Sequence, residues 1–224
     1  MDSDNNNARI AGLSFLISYL GLILGGLVAG SIFEGDYLTL AYPNAMQVGI
    51  GVLLESINGI AVIGIAVMLY PILKRYNEGI ALGYLAFRGT EALLSILGST
   101  KALSLIDLSK AYIAAGSTGN YFVALGEIIM ADRHWLMEML TVFFILGAIV
   151  FYFILYRTEL LPRYVSIWGL AAAVLMIVFN ALIYTGIDLG IINLILVLPM
   201  IANEFFVAFW LILKGVNTAN LSPE

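Results

Sequence analysis

Apolar residues run along this chain in six long blocks, separated by short polar punctuation. Ile10 to Phe33 contains no charge over 24 positions, and Ala45–Leu73 contains one, Glu55. Gly79–Ser99 carries Arg88 and Glu91, and His134–Tyr156 carries Glu138. Tyr164–Thr185 has no charge, and Gly190–Leu213 has only Glu204. A helix that crosses the hydrocarbon layer takes about 20 mostly apolar residues. The pattern therefore predicts six transmembrane helices. The polar start, Met1–Arg9, is acidic rather than basic and bears the run Asn5, Asn6, Asn7. A cleaved leader has a basic start and an apolar stretch of roughly 7–15 residues, so the first block is read as a retained span.

The segment between the third and fourth blocks, 101–133, is much longer than the other connections. Leu103, Leu105, Ile106, Leu108, Tyr112 and Ile113 alternate with Lys101, Asp107 and Lys110, which predicts an amphipathic extension of the third span. Gly116, Ser117, Thr118, Gly119 and Asn120 signal a turn, and Tyr121–Met130 is apolar apart from Glu127. The reading is a helical hairpin lying in or over the outer interface. The fold class is then an all-α membrane protein: a six-transmembrane-helix bundle with an outer amphipathic hairpin, one integral membrane domain over residues 1–224.

Composition agrees. The 224 residues are 62% hydrophobic and 11% charged, against about a quarter charged in soluble domains. Soluble enzymes, nucleic-acid binders and disordered linkers are excluded. Cysteine is absent, so thiol chemistry and Cys-held metals are excluded too, and the single histidine, His134, rules out a site needing two imidazoles from one chain. The net charge of −5 belongs mostly to loops. The cations fall unevenly: Arg9, Lys74, Arg75, Arg157, Arg163 and Lys214 lie in one set of connections, and Lys101, Lys110 and Arg133 in the other. Cytoplasmic connections are enriched in Lys and Arg. This places both termini inside, with basic-free outer turns at Glu34/Asp36 and Asp188.

Several phrases carry a family likeness. Ala8-Arg9-Ile10-Ala11-Gly12-Leu13 opens the first span, and Phe87-Arg88 with Glu91-Ala92 sits in the third. Tyr156-Arg157-Thr158-Glu159-Leu160-Leu161-Pro162-Arg163 joins the fourth to the fifth, and Pro199, Glu204, Trp210 and Lys214-Gly215 mark the last. In this order they resemble the prokaryotic membrane family DUF4386, a domain of unknown function. The resemblance covers nearly the whole chain. It implies six helices in a prokaryotic cytoplasmic membrane and no established chemistry.

Function must therefore be sought in the polar residues inside the spans. A charge near the bilayer centre costs at least about 2.5–3.5 kcal/mol, so such groups should face one another or a wet cavity. At 1.5 Å per residue, Arg88, Glu91 and Glu204 fall at a shared depth of about 12–18 Å from the cytoplasmic ends. Arg88 and Glu91, at i,i+3, share a helix face. Arg88 could pair with either carboxylate, leaving the trio at net −1, while Asn203 points about 100° away from Glu204. The plain reading is an ion pair that fixes the third span against the sixth; the functional reading is a surplus carboxylate able to take a proton or cation.

A second group lies nearer the outside: Glu55 with Asn58, Glu138 with His134, and Asn180, at depths of about 24–27 Å. One imidazole with two carboxylates has ligand chemistry for zinc, iron or manganese. His134, Glu138 and Glu55 are thus weak metal candidates, although H-x-x-x-E is not the paired-histidine signature. Asp132, Arg133 and Trp135 around His134 equally describe a membrane-surface residue.

Remaining features read as packing. Gly21, Gly25, Gly26 and Gly30 permit close helix approach within the chain or in an oligomer. Pro199, within a turn or so of Glu204, removes a hydrogen bond to the carbonyl of residue 195. No phosphate-binding glycine loop, nucleophile elbow or extended basic patch occurs.

The expectation is a bilayer-embedded protein that binds or transports a small or lipid-like ligand, with Arg88, Glu91, Asn203 and Glu204 as its charge centre. The outer group, Glu55 with Asn58, would then admit the ligand from outside. No cofactor is expected. Carriers often show two related halves, and no such repeat is visible. Two alternatives stay open: an intramembrane metal-assisted hydrolase holding a divalent ion, and a non-catalytic membrane partner or regulator.

Overall fold

The computed structural model describes residues 2–186 and 191–221. Seven helices follow one another: α1 (Asp2–Phe33), α2 (Tyr37–Leu40), α3 (Ala45–Leu73), α4 (Glu78–Ala114), α5 (Asn120–Thr158), α6 (Arg163–Tyr184) and α7 (Ile191–Leu213). Six are long and apolar enough to cross a membrane, and α2 is a single turn. Among the described residues there is no strand. The protein is an all-α, six-span membrane protein. The turn expected at Asp188 and the start of the last span at Gly190 lie outside the described residues.

The spans are apolar on their outward faces as well as inside. Leu27, Met46, Ile60 and Leu213 are each more than 60% exposed, which in a water-soluble fold would be a liability. Here hydrocarbon is the solvent for those faces, and the helical conformation pairs most backbone N–H and C=O groups within each span.

Helix ends follow local chemistry. Asn77 accepts the amide of Ile80 at 3.0 Å through Oδ1, capping α4. Pro162 opens α6, and Gly215, at φ +71°, closes α7 in the left-handed conformation that ends many helices. Pro199 lies within α7 without interrupting it.

Two boundaries differ from the sequence expectation. Helix α1 begins at Asp2 rather than near Ile10, because the polar residues find partners: Asp4 pairs with Arg75 at 2.7 Å, and the Asn5 carboxamide oxygen accepts the amide of Val216. The hairpin predicted over 101–133 is the continuous far ends of α4 and α5, which run 37 and 39 residues. Their connecting turn uses Gly116, Ser117 and Gly119, all at positive φ.

Contacts divide the chain into two compact units, each discontinuous in sequence. The first comprises Met1–Leu16, Ala61–Glu91 and Thr141–Glu224; the second comprises Ile17–Ile60 and Ala92–Leu140. In the first, Phe15 of α1, Leu69 of α3, Tyr84 of α4, Leu155 of α5, Val165 of α6 and Leu211 of α7 share one buried core. Close approach is enforced at Gly169 of α6, where a Cβ would collide with the Tyr152 ring of α5, and at Gly12 of α1, where it would lie 2.7 Å from the Ala208 carbonyl of α7. In the second unit, Ile32, Leu38, Val48 and Val52 meet Ala102, Leu105 and Leu108 of α4, with Phe122 and Leu125 of α5 packed against them. The short α2 is held there too, since Ser109 accepts the Tyr42 amide at 3.0 Å.

Gly169 gives a direct check on this packing. Gly169→Ala should destabilise the protein by about 1–3 kcal/mol through overpacking, seen as a lower melting temperature in detergent. Gly83→Ala, with open space around it, should leave the melting temperature unchanged or slightly raised.

Candidate functional site

The first unit holds a buried charge centre. Arg88 and Glu91 lie one turn apart on α4, with Nη1 and Oε2 at 3.0 Å and side chains 3% and 7% exposed. The Arg88 guanidinium also faces two aromatic rings, Phe144 of α5 at 5.4 Å and Phe15 of α1 at 6.0 Å. These distances permit cation–π attraction, which strengthens when water is excluded. Gly147 of α5 leaves room for the Arg88 stem, since a Cβ there would sit 3.1 Å from Cδ.

Glu204, on α7, is buried as well, and its charge acts on Glu91 and on the buried Tyr84 and Tyr152. Two carboxylates and one guanidinium therefore share this core. Asn203, the next residue along, faces α6 and donates from Nδ2 to the Val165 carbonyl at 3.0 Å.

Other buried polar atoms of the first unit lack a protein partner. The Tyr152 hydroxyl, the Ser166 hydroxyl and the Asn203 Oδ1 are fully buried and have no hydrogen-bond partner. Val165, Ser166 and Gly169 span little more than one turn of α6, and they meet Asn203 and the Tyr152 ring. A buried polar group left without a partner costs about 1–3 kcal/mol, so these atoms on α5, α6 and α7 stand out from the apolar core around them.

The second unit arranges its charges differently. Glu55 of α3 is saturated: Oε2 accepts Ser99 Oγ at 2.8 Å, and Oε1 accepts Arg133 Nη2 at 2.7 Å. Arg133 also donates from Nη1 to the Gly98 carbonyl at 2.8 Å and lies 5.2 Å from the Phe33 ring. One guanidinium thus ties α5 to α3, α4 and α1. Asn58 accepts a long hydrogen bond from Ser18 at 3.4 Å.

The remaining predicted residues are spread out. Glu138 is half-buried on α5, and His134 is exposed with its ring 5.2 Å from that of Trp135. Among the described residues no three His, Asp or Glu side chains gather as metal ligands, so His134, Glu138 and Glu55 do not come together as a set. Asn180 belongs to the first unit, where it is buried beside Tyr184 in an otherwise apolar groove of about 400 Å³.

Of the glycines on α1, Gly21 and Gly25 face α3 within the second unit, near the Leu54 and Gly51 carbonyls, while Gly26 and Gly30 have open space beside them. Arg133, Ser99, Tyr84, Tyr152 and Ser166 are the functional candidates that the sequence reading passed over. Arg133 had a detectable signal, because a long cation within reach of a span end seeks a buried acid.

The family model described as a domain of unknown function, DUF4386, matches residues 10–215. The chain belongs to the DUF4386 family. No curated protein and no solved structure matches it. The DUF4386 match runs from the first span to the glycine that closes α7, and so contains both charged groups.

The Glu55–Arg133 pair is a testable lock. Arg133→Gln should cost about 3 kcal/mol, because it strands a buried carboxylate. The double variant Glu55→Gln/Arg133→Gln should recover much of that loss. Thermal melting of the purified variants in one detergent checks both.

Proposed function

We propose that this protein binds, and moves across the membrane, a small polar ligand at the Arg88–Glu91–Glu204 centre. The observation carrying this reading is the burial of two carboxylates and one guanidinium in one core, together with buried polar atoms of Tyr152, Ser166 and Asn203 that no protein atom meets. A fixed structural ion pair needs neither. Arg88 would attract an anionic or hydrogen-bond-accepting group, and Glu91 or Glu204 would exchange a proton or cation to balance the charge. Tyr152, Ser166 and Asn203 would supply orienting hydrogen bonds. The Glu55–Arg133–Ser99 group, saturated within its own unit, is assigned to holding helices together rather than to ligand chemistry. A metal-dependent hydrolase would need ligands other than His134, Glu138 and Glu55 acting together.

The same reading sets the protein in the cytoplasmic membrane of a prokaryote with both termini inside. Its support is charge asymmetry: Arg9, Lys74, Arg75, Arg157, Arg163 and Lys214 lie in one set of connections, against Lys101, Lys110 and Arg133 in the other. Because cysteine is absent, single introduced thiols report topology cleanly. Ser117→Cys should react with an impermeant maleimide on intact cells, and Thr218→Cys only after lysis. The reverse pattern would invert the assignment.

Native mass spectrometry of gently purified protein, with elemental analysis, tests the binding role. An organic ligand near one per chain is expected, lost in Arg88→Gln and weakened about tenfold or more in Glu91→Gln and Glu204→Gln. A stoichiometric divalent metal without an organic ligand would turn the reading toward hydrolysis. Unchanged ligand retention in all three variants would end it.

A further inference from the structure

The second unit carries a groove that the charge centre does not explain. It lies between the antiparallel stretches of α4 and α5, with a volume of about 470 Å³. One end is polar: Lys101 Nζ and Asp132 Oδ2 pair at 3.0 Å, with side chains 38% and 52% exposed. The other end is apolar, formed by Leu97, Leu136 and Met139. Trp135 stands between the two ends and is 47% exposed.

The order of these residues gives the groove a direction. Along α4 the lining passes from Leu97 to Lys101, and along α5 from Met139 back to Asp132, which is about 10 Å of helix. Both helices therefore change from apolar to charged toward the same end, the end leading to the hairpin turn. An amphiphile lying along the groove, charged at one end and hydrocarbon at the other, matches both ends at once. A Trp at the changeover is the residue expected where hydrocarbon meets the headgroup layer.

Charge selects the headgroup. The second unit contains seven Asp and Glu residues against three Lys and Arg, and one of those three, Arg133, is committed to Glu55. A headgroup with only negative charge would meet a repulsive field here. A zwitterion meets complementary groups: Lys101 can turn its remaining donors to a phosphate. Asp132 can accept N–H bonds from an ammonium, and the Trp135 face attracts that cation as well. A primary ammonium makes hydrogen bonds to Asp132 that a trimethylated one cannot.

We infer that this groove is a binding site for a zwitterionic phospholipid with a primary ammonium headgroup, seated between Lys101, Asp132 and Trp135 with its acyl chains starting along Leu97, Leu136 and Met139. The site is separate from the Arg88 centre and does not depend on the function proposed there.

The test is native mass spectrometry of the delipidated, detergent-purified protein titrated with phosphatidylethanolamine, phosphatidylcholine or phosphatidylglycerol. One phosphatidylethanolamine per chain should bind saturably, ahead of phosphatidylcholine and well ahead of phosphatidylglycerol. Asp132→Asn should erase the preference for the primary ammonium. Lys101→Gln should weaken both zwitterionic lipids roughly three- to tenfold, and Lys110→Gln should change nothing. As a measurement that leaves the charge pair intact, Trp168→Phe/Trp210→Phe leaves Trp135 as the sole tryptophan, excited selectively over the tyrosines. Phosphatidylethanolamine with brominated chains should quench it saturably, and excess unbrominated phosphatidylethanolamine should reverse this. Preference for phosphatidylglycerol, equal binding of all three lipids, or wild-type selectivity in Asp132→Asn and Lys101→Gln would each overturn the assignment.

Discussion

Charge has no solvent inside hydrocarbon, and that constraint governs where this protein can place its ionised groups. Each must be met by another protein group, because a lipid chain offers neither a counter-charge nor a hydrogen bond. In the first unit Arg88 is met by Glu91 and two aromatic rings, with the Glu204 charge close by. In the second, Glu55 is met by Arg133 and Ser99. Helix packing in each unit follows from bringing these groups together, and the small residues Gly147 and Gly25 provide the space their side chains occupy.

The two solutions differ in completeness, and function is assigned on that difference. Around Glu55 both carboxylate oxygens and both terminal nitrogens of Arg133 are engaged, in a geometry suited to holding four helices in register. Around Arg88 the acids outnumber the base, and buried hydroxyl and carboxamide atoms stand open. A structure that needed only rigidity would gain by replacing such a centre with apolar side chains, since buried ion pairs add little net stability over well-packed hydrocarbon. Its presence in a core of Phe, Leu and Tyr is what the proposed binding role rests on.

Much of this was legible in the sequence, and the reasons are physical. Uninterrupted apolar runs admit only one regular conformation in a bilayer, so six spans could be read directly. The i,i+3 spacing of Arg88 and Glu91 fixed their shared face without any tertiary knowledge. Spacing along one helix says nothing, however, about which residue of another helix lies opposite. Arg133 therefore looked like a surface cation beside Trp135, although it is the partner of Glu55. Asn180, grouped with Glu55 by depth, belongs to the other compact unit, because depth along a span does not fix the rotation of the helix. Helix α1 also begins earlier than hydropathy suggests, since Asp4 and Asn5 are stabilised by Arg75 and Val216, far away in sequence.

The interleaving of the two units has a consequence for how the chain is made. Every segment of the second unit has been synthesised once residue 140 has been added, so its Glu55–Arg133 lock can close while the rest of the chain is still being made. The first unit must wait. Its α1 portion is among the first residues made, yet the partners of Asn5 and Gly12 are Val216 and Ala208, near the other end of the chain. Arg88 and Glu91 enter the membrane well before Glu204 exists. Each then has a counter-charge within reach one turn away on its own helix, a pairing that does not depend on α7.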